Sequence, residues 1–234
     1  MTTFNSTDPR DIPAYSIPEA AHYLGVPAST LRSWFVGEPY SHGGKRKQFH
    51  AVISPADPKS RSLSFSNLVE AYVLTAIRRK HRIGLPTIRR GLDYLIKQLG
   101  SERPLLEEQF ATHGTRLFVE RLGEIINLSK PGQVEMADLL RAYLERVERD
   151  AKGLPIKLYP FMRSQPPRDQ PRTVVIDPRL SFGRPVVAGT GIPTAVLAER
   201  FKAGDQVPAL AKDYGASEEA VWDAIRCELD LKAA

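Results

Sequence analysis

Tyr15 to Phe35 reads YSIPEAAHYLGVPASTLRSWF, two short helical patterns around a glycine. Ser16 and Glu19 have the S-x-x-E spacing of a capping box, in which each side chain satisfies a free N–H at the helix start. Ile17, Ala20, Ala21 and Leu24 then recur on one helical face. Gly25 ends the helix, because glycine takes positive φ without a Cβ clash. Pro27 cannot continue it. Ser29 or Thr30 is placed to cap a second helix, with Leu31, Trp34 and Phe35 turned inward and Arg32 and Ser33 outward. This is the spacing of a helix-turn-helix whose second helix fits a major groove. An ordinary helical hairpin in a core has the same spacing, so charge and flanking elements must separate the two.

Charge favours nucleic acid. The 234-residue chain carries +6, and residues 1–100 hold 14 Lys+Arg against 7 Asp+Glu, while residues 101–234 hold 19 against 20. The whole surplus accompanies the helix pair, as phosphate binding requires, although a solvated basic surface has the same composition. After the helices, Gly43-Gly44-Lys45-Arg46-Lys47 is a glycine turn with three consecutive cations. Gln48 to Ile53 reads as a strand and Arg61 to Phe65 as a second. Two strands after a helix-turn-helix suggest a wing whose basic tip touches backbone or minor groove; a basic loop is the alternative. The candidate DNA contacts are Ser29, Thr30, Arg32, Ser33, Lys45, Arg46, Lys47 and Arg61.

Composition bounds the remaining classes. Hydrophobic content of 42% and charged content of 26% are ordinary for a globular chain. No run of 18 apolar residues suggests a membrane span. The start, MTTFNSTDPRD, lacks an apolar signal core, which leads to the expectation of a cytoplasmic protein. The single cysteine, Cys227, stands at helical spacing from Ala224 and is expected to be a small buried hydrophobe.

Further along, Ser66 is placed to cap a helix over 67–82 that ends in Arg78, Arg79, Lys80, His81 and Arg82. Cations suit a helix C-terminus and suit phosphate equally. A second amphipathic helix spans 87–99. Residues 117–128 read as a small hairpin around Arg121-Leu122-Gly123, and Lys130-Pro131-Gly132 as a turn. A helix follows over 135–150, with Arg141, Glu145, Arg146, Glu148 and Arg149 forming a solvated face. Five prolines between 152 and 172 mark an extended linker. The expected domains are 1–150, a linker 151–172, and 173–234. The expected fold class is mostly α with small β elements (α+β).

The order of YSIPEAAHYLGVPASTLRSWF is similar to the MerR-type winged helix-turn-helix, with Gly25, Val26, Thr30, Leu31 and Arg32 in matching places over about residues 14–95. Ser29, Ser33 and Trp34 depart from that pattern, and Arg32 is the safest carry-over. In such proteins the helices after the wing pack on it and often carry a dimer contact.

In the last third, 173–177 and 185–188 read as strands. Gly189-Thr190-Gly191 reads as a turn, since it fits neither the P-loop nor the dinucleotide fingerprint. Three short helices follow, over 194–203, 207–214 and from 218 on. The first is expected to bury Val196, Leu197, Ala198 and Phe201; Val221 and Trp222 belong to the face of the last. Lys212, Asp213, Glu218, Glu219, Asp223 and Arg226 are expected outside, a net acidic surface that approaches phosphate poorly. This stretch is identified as resembling a small domain of VapB-type antitoxins through Gly183, Pro185, Gly189, Thr190, Ile192, Pro193, Gly204, Leu210, Ala211 and Tyr214. Gly191 stands where many members have Arg. The resemblance implies an antitoxin that neutralises a PIN-like ribonuclease toxin and represses its own operon; a homodimer is expected because helix-turn-helix readers usually use two half-sites. Arg163, Arg168, Arg172 and Arg179 are the candidate toxin contacts, because a cation opposes a carboxylate-lined nuclease site.

Five scattered histidines offer no ligand spacing, and no nucleophile motif occurs, so neither catalysis nor a metal or other cofactor is expected. The rival readings are a stand-alone MerR-like regulator that senses a ligand, and a protein-interaction adaptor without a DNA role.

Overall fold

The computed structural model describes residues 8–42, 45–81, 83–160 and 170–229; for 38–42, 45–49 and 79–81 it describes the backbone alone. The protein is mostly helical with small antiparallel sheets, and none of the described helices is long and apolar enough to cross a membrane. It divides into two compact units: residues 1–145 with 149–155, and residues 146–148 with 156–234.

The first unit begins with α1 (Ile17–Leu24) and α2 (Ala28–Phe35). The capping box is formed: Glu19 N donates to Ser16 Oγ, and Ser16 N donates to Glu19 Oε2. Gly25 takes φ 62 and closes α1. Leu31, Trp34 and Phe35 are buried as the spacing predicts. Neither Ser29 nor Thr30 caps α2. The helix starts at Ala28 behind Pro27, and the Pro27 carbonyl accepts Leu31 N.

The strands after α2 differ from those expected for a wing over 48–53 and 61–65. They are β1 (Glu38–His42) and β2 (Lys45–Phe49), paired antiparallel with Tyr40 opposite Lys47 and His42 opposite Lys45. The cations therefore lie on a strand, whereas Arg61 occupies a turn at φ 58 between Asp57 and Ser62, which bridge each other. Leu63 bridges to Tyr15 instead of extending a strand.

The next helix, α3 (Phe65–His81), starts two residues early, because Phe65 and Leu68 are drawn into the core. Its cap is Ser64, not Ser66: Asn67 N donates to Ser64 Oγ, and Ser64 N donates to Asn67 Oδ1. The packing helices are α4 (Leu85–Leu99), α5 (Thr115–Ile126) and α6 (Lys130–Leu144). No hairpin forms over 117–128. Phe118, Val119 and Leu122 are buried at helical spacing, and Gly123 is covered by Gln133 instead of turning the chain. Gly91 lets α4 and α5 approach closely, since a Cβ there would lie 2.8 Å from the ring of buried Phe118. Lys130-Pro131-Gly132 is the first turn of α6, not a loop, with Ser129 Oγ accepting Gly132 N.

The expected helix over 135–150 stops at Leu144 and gives way to β3 (Val147–Arg149), which pairs with β4 (Pro155–Leu158). Arg146 is no solvated residue: it is buried, and its guanidinium donates to the carbonyls of Tyr159, Pro160, Gln170 and Pro171. Four convergent carbonyls compensate a charge that the helical pattern had placed in water.

In the second unit β5 (Val174–Val175) pairs antiparallel with β6 (Val186–Val187), and Ile176 bridges to Leu158. The helices are α7 (Thr194–Lys202), α8 (Val207–Tyr214) and α9 (Glu218–Glu228), close to the predicted spans. Leu197, Leu210, Val221, Ala224 and Ile225 form their core. Val196 and Trp222 are partly exposed, because Leu197 and Ala198 fill the inside and Trp222 leans on Phe201 at the edge, ring centres 5.5 Å apart. Asp223, expected outside, is buried; its carboxylate accepts from Thr173 Oγ1 at 2.6 Å and Arg226 at 2.8 Å. Cys227 is buried, and desolvation pushes its thiol pKa up, which keeps it unreactive.

Candidate nucleic-acid interface

The candidate DNA contacts fall on α2, the β1–β2 hairpin and the turn that holds Arg61. Arg32 and Ser29 are exposed on α2, and Thr30 is half-exposed. Ser33 is not available. It is buried, and its hydroxyl donates to the Thr30 carbonyl at 2.8 Å, back-bonding along its own helix. The outward face of α2 is therefore Ser29 and Arg32, with Thr30 at its margin.

Behind that face, α2 is held by packing and by backbone. Trp34 and Phe35 are buried, and the Trp34 carbonyl accepts Val52 N at 2.7 Å and Ile53 N at 3.1 Å. The chain leaving β2 is thereby tied to α2. The same segment is fastened from two further helices. Arg89 of α4 donates to the carbonyls of His50 and Ala51. Buried Asn67 of α3 accepts Ala56 N at 2.8 Å and donates to the Ser54 carbonyl at 2.9 Å. The chain that leaves the hairpin is thus held by three elements. Arg61 is exposed on its turn next to exposed Lys59.

Several cations of the first unit have structural partners. Arg10 pairs with Asp8 at 2.6 Å and Asp150 at 2.9 Å, and Asp8 is held below the usual carboxylate range chiefly by that guanidinium. Arg103 pairs with Glu70 and Asp11. The sequence reading missed Arg89 and Asn67, because nothing in helical periodicity marks a side chain that reaches a distant carbonyl.

The four arginines proposed for a protein partner are not brought together among the described residues. Arg163 and Arg168 lie outside them. Arg172 is exposed, with its guanidinium 5.4 Å from the Tyr159 ring centre. Arg179 grips Asp177 through Nε at 3.0 Å and Nη2 at 2.8 Å. The turn that follows Arg179 holds Phe182, which no periodicity had singled out, in solvent.

Comparison with known proteins adds the following. Residues 13–92 match a family described as "Putative DNA-binding HTH domain", and residues 174–226 match one described as "Protein of unknown function (DUF433)". The chain is 32% identical to the Mycobacterium tuberculosis protein named "Putative antitoxin VapB45", over 92% of this chain and 93% of that protein. It is 26% identical to the "Uncharacterized protein Rv2308" of the same organism, over 92% and 90% of the two chains. A crystal structure of Rv2018 from M. tuberculosis superposes with a TM-score of 0.64 at 26% identity, over 92% of this chain and 98% of that one.

Proposed function

This chain belongs to the family of the protein named "Putative antitoxin VapB45", and on that premise we propose that it is an antitoxin that binds DNA through its helix-turn-helix and a toxin protein through its second unit. The observation that carries the DNA half is exposed Arg32 on a short, firmly backed α2, beside a hairpin whose second strand reads KRKQF. The finer reading is that the DNA is its own operator, that the toxin is a PIN-like ribonuclease, and that a homodimer reads two half-sites. The similarity to VapB45 over nearly the full length supports the antitoxin assignment.

The test is titration of a labelled promoter fragment with the purified protein, alone and mixed with the product of the neighbouring reading frame. Salt-sensitive binding to that fragment over unrelated DNA, together with a stable two-protein complex that suppresses a ribonuclease activity, is the expected result. No preference for the fragment and no complex would defeat the proposal.

A further inference from the structure

Ser181–Gly183 form a single 3-10 turn of unusual backbone. Ser181, Phe182 and Gly183 take φ 45, 55 and 78 in succession. This left-handed region is natural for Gly183 and costly for Ser181 and Phe182, whose Cβ atoms crowd the backbone. Phe182 is 94% exposed, and neighbouring Leu180 is 42% exposed. A bulky aromatic thus stands in strained backbone and in water, where a glycine would relieve both.

The turn is nevertheless held firmly. The Asp177 carbonyl accepts Leu180 N at 2.9 Å, Leu180 O accepts Gly183 N at 2.8 Å, and Ser181 O accepts Arg184 N at 3.0 Å. Buried Asp177 also accepts Arg179 N at 2.9 Å. Strain that surrounding structure holds in place is a mark of function, and a rigid exposed aromatic is a binding anchor that needs little ordering.

We propose that Phe182 and Leu180 form an apolar knob that docks into a pocket with a carboxylate rim on the partner protein, a proposal that rests on the antitoxin reading. Charge selects that occupant. Between 170 and 190 the sequence carries Arg172, Arg179 and Arg184 and one carboxylate, Asp177, which Arg179 grips, so the stretch is net positive; Arg179 and Arg172 are exposed. A two-fold contact between copies through this turn would set those arginines against themselves, which is unfavourable. An acidic rim on a different chain complements them.

The decisive variant is Phe182→Gly in the full-length protein, which removes the ring and suits the backbone. The probe is the purified product of the neighbouring reading frame, with affinity read by calorimetry. We expect a loss of about 30-fold or more in affinity, the range of an interface hot spot. The melting temperature should hold or rise by up to about 4 °C, and promoter binding should be unchanged. A side chain that merely supports the fold would lower the melting temperature. If the wild-type complex forms and the variant binds equally well, the knob is not the anchor, although the antitoxin reading stands. If the wild type itself binds nothing, both fall. If light scattering of the protein alone shows a dimer that the variant dissolves, the knob contacts a second copy and the proposal is overturned.

Discussion

The guanidinium of Arg78, in the last turns of α3, lies 5.8 Å from the ring centre of Trp34 in α2. This cation sits in a cluster whose sequence suits both a helix terminus and phosphate, and the structure gives it a third role, bracing α2 from behind. Replacing Arg78 with Leu should cost about 0.5–2 kcal/mol of stability, the range of a cation–π contact. A thermal melt measures this, and the salt dependence of DNA binding should be unaltered.

Arg32 is the opposite case, a cation on the outer face of α2. Arg32→Ala should leave the melting temperature in place and weaken promoter binding by about 1–3 kcal/mol, the worth of a base-directed arginine. Fluorescence anisotropy with the promoter fragment and a scrambled one reads both affinity and preference.

Lys45, Arg46 and Lys47 follow one another on β2, so phosphate contact by the wing has a quantitative signature. The triple alanine variant should reduce the slope of log affinity against log salt by about three units at most. An unchanged slope would remove the wing from the DNA surface.

Gly91 tests the packing behind the site. A methyl there would meet Phe118 at 2.8 Å and Leu122 at 3.0 Å. Both side chains are buried, so Gly91→Ala should cost about 1–3 kcal/mol, in spite of alanine's better helix propensity. Chemical denaturation measures the loss.

Asp177 gives a pH dependence. Burial pushes its carboxyl pKa up, but hydrogen bonds from the Arg179 side chain and backbone outweigh it and leave the pKa below the ordinary value. A depressed acid stabilises the fold above its unfolded pKa of about 3.9 and loses that contribution as the pH falls toward the folded value. Asp177→Asn should therefore lower the unfolding midpoint at pH 6 and flatten its decline below about pH 4.

Much of this was legible in the sequence, for reasons that differ by element. Ser16, Glu19 and Gly25 act on neighbours within a few residues, so their spacing predicted α1 and its ends. The three C-terminal helices announce themselves through Gly204, Gly215 and Ser217. What failed depended on distant partners. Leu117 to Leu128 reads as two apolar runs around a glycine until Gln133 is seen to cover Gly123. Arg146 reads as surface until the carbonyls of Tyr159, Pro160, Gln170 and Pro171 converge on it. Ser33 has the exposed position in the motif, yet turns its hydroxyl back to Thr30. Within the candidate interface, the motif and the basic run were readable, while the fastening of residues 50–56 by Trp34, Arg89 and Asn67 was not.

The position of Arg146 bears on what a broken chain would do. One guanidinium holds Pro160 on one side and Gln170 and Pro171 on the other, and Leu158 exchanges both backbone hydrogen bonds with Ile176. A peptide bond cut between 160 and 170 would therefore leave two fragments that still complete each other's fold. Such nicked protein would elute from a sizing column as if intact, and only denaturing electrophoresis would reveal the two pieces.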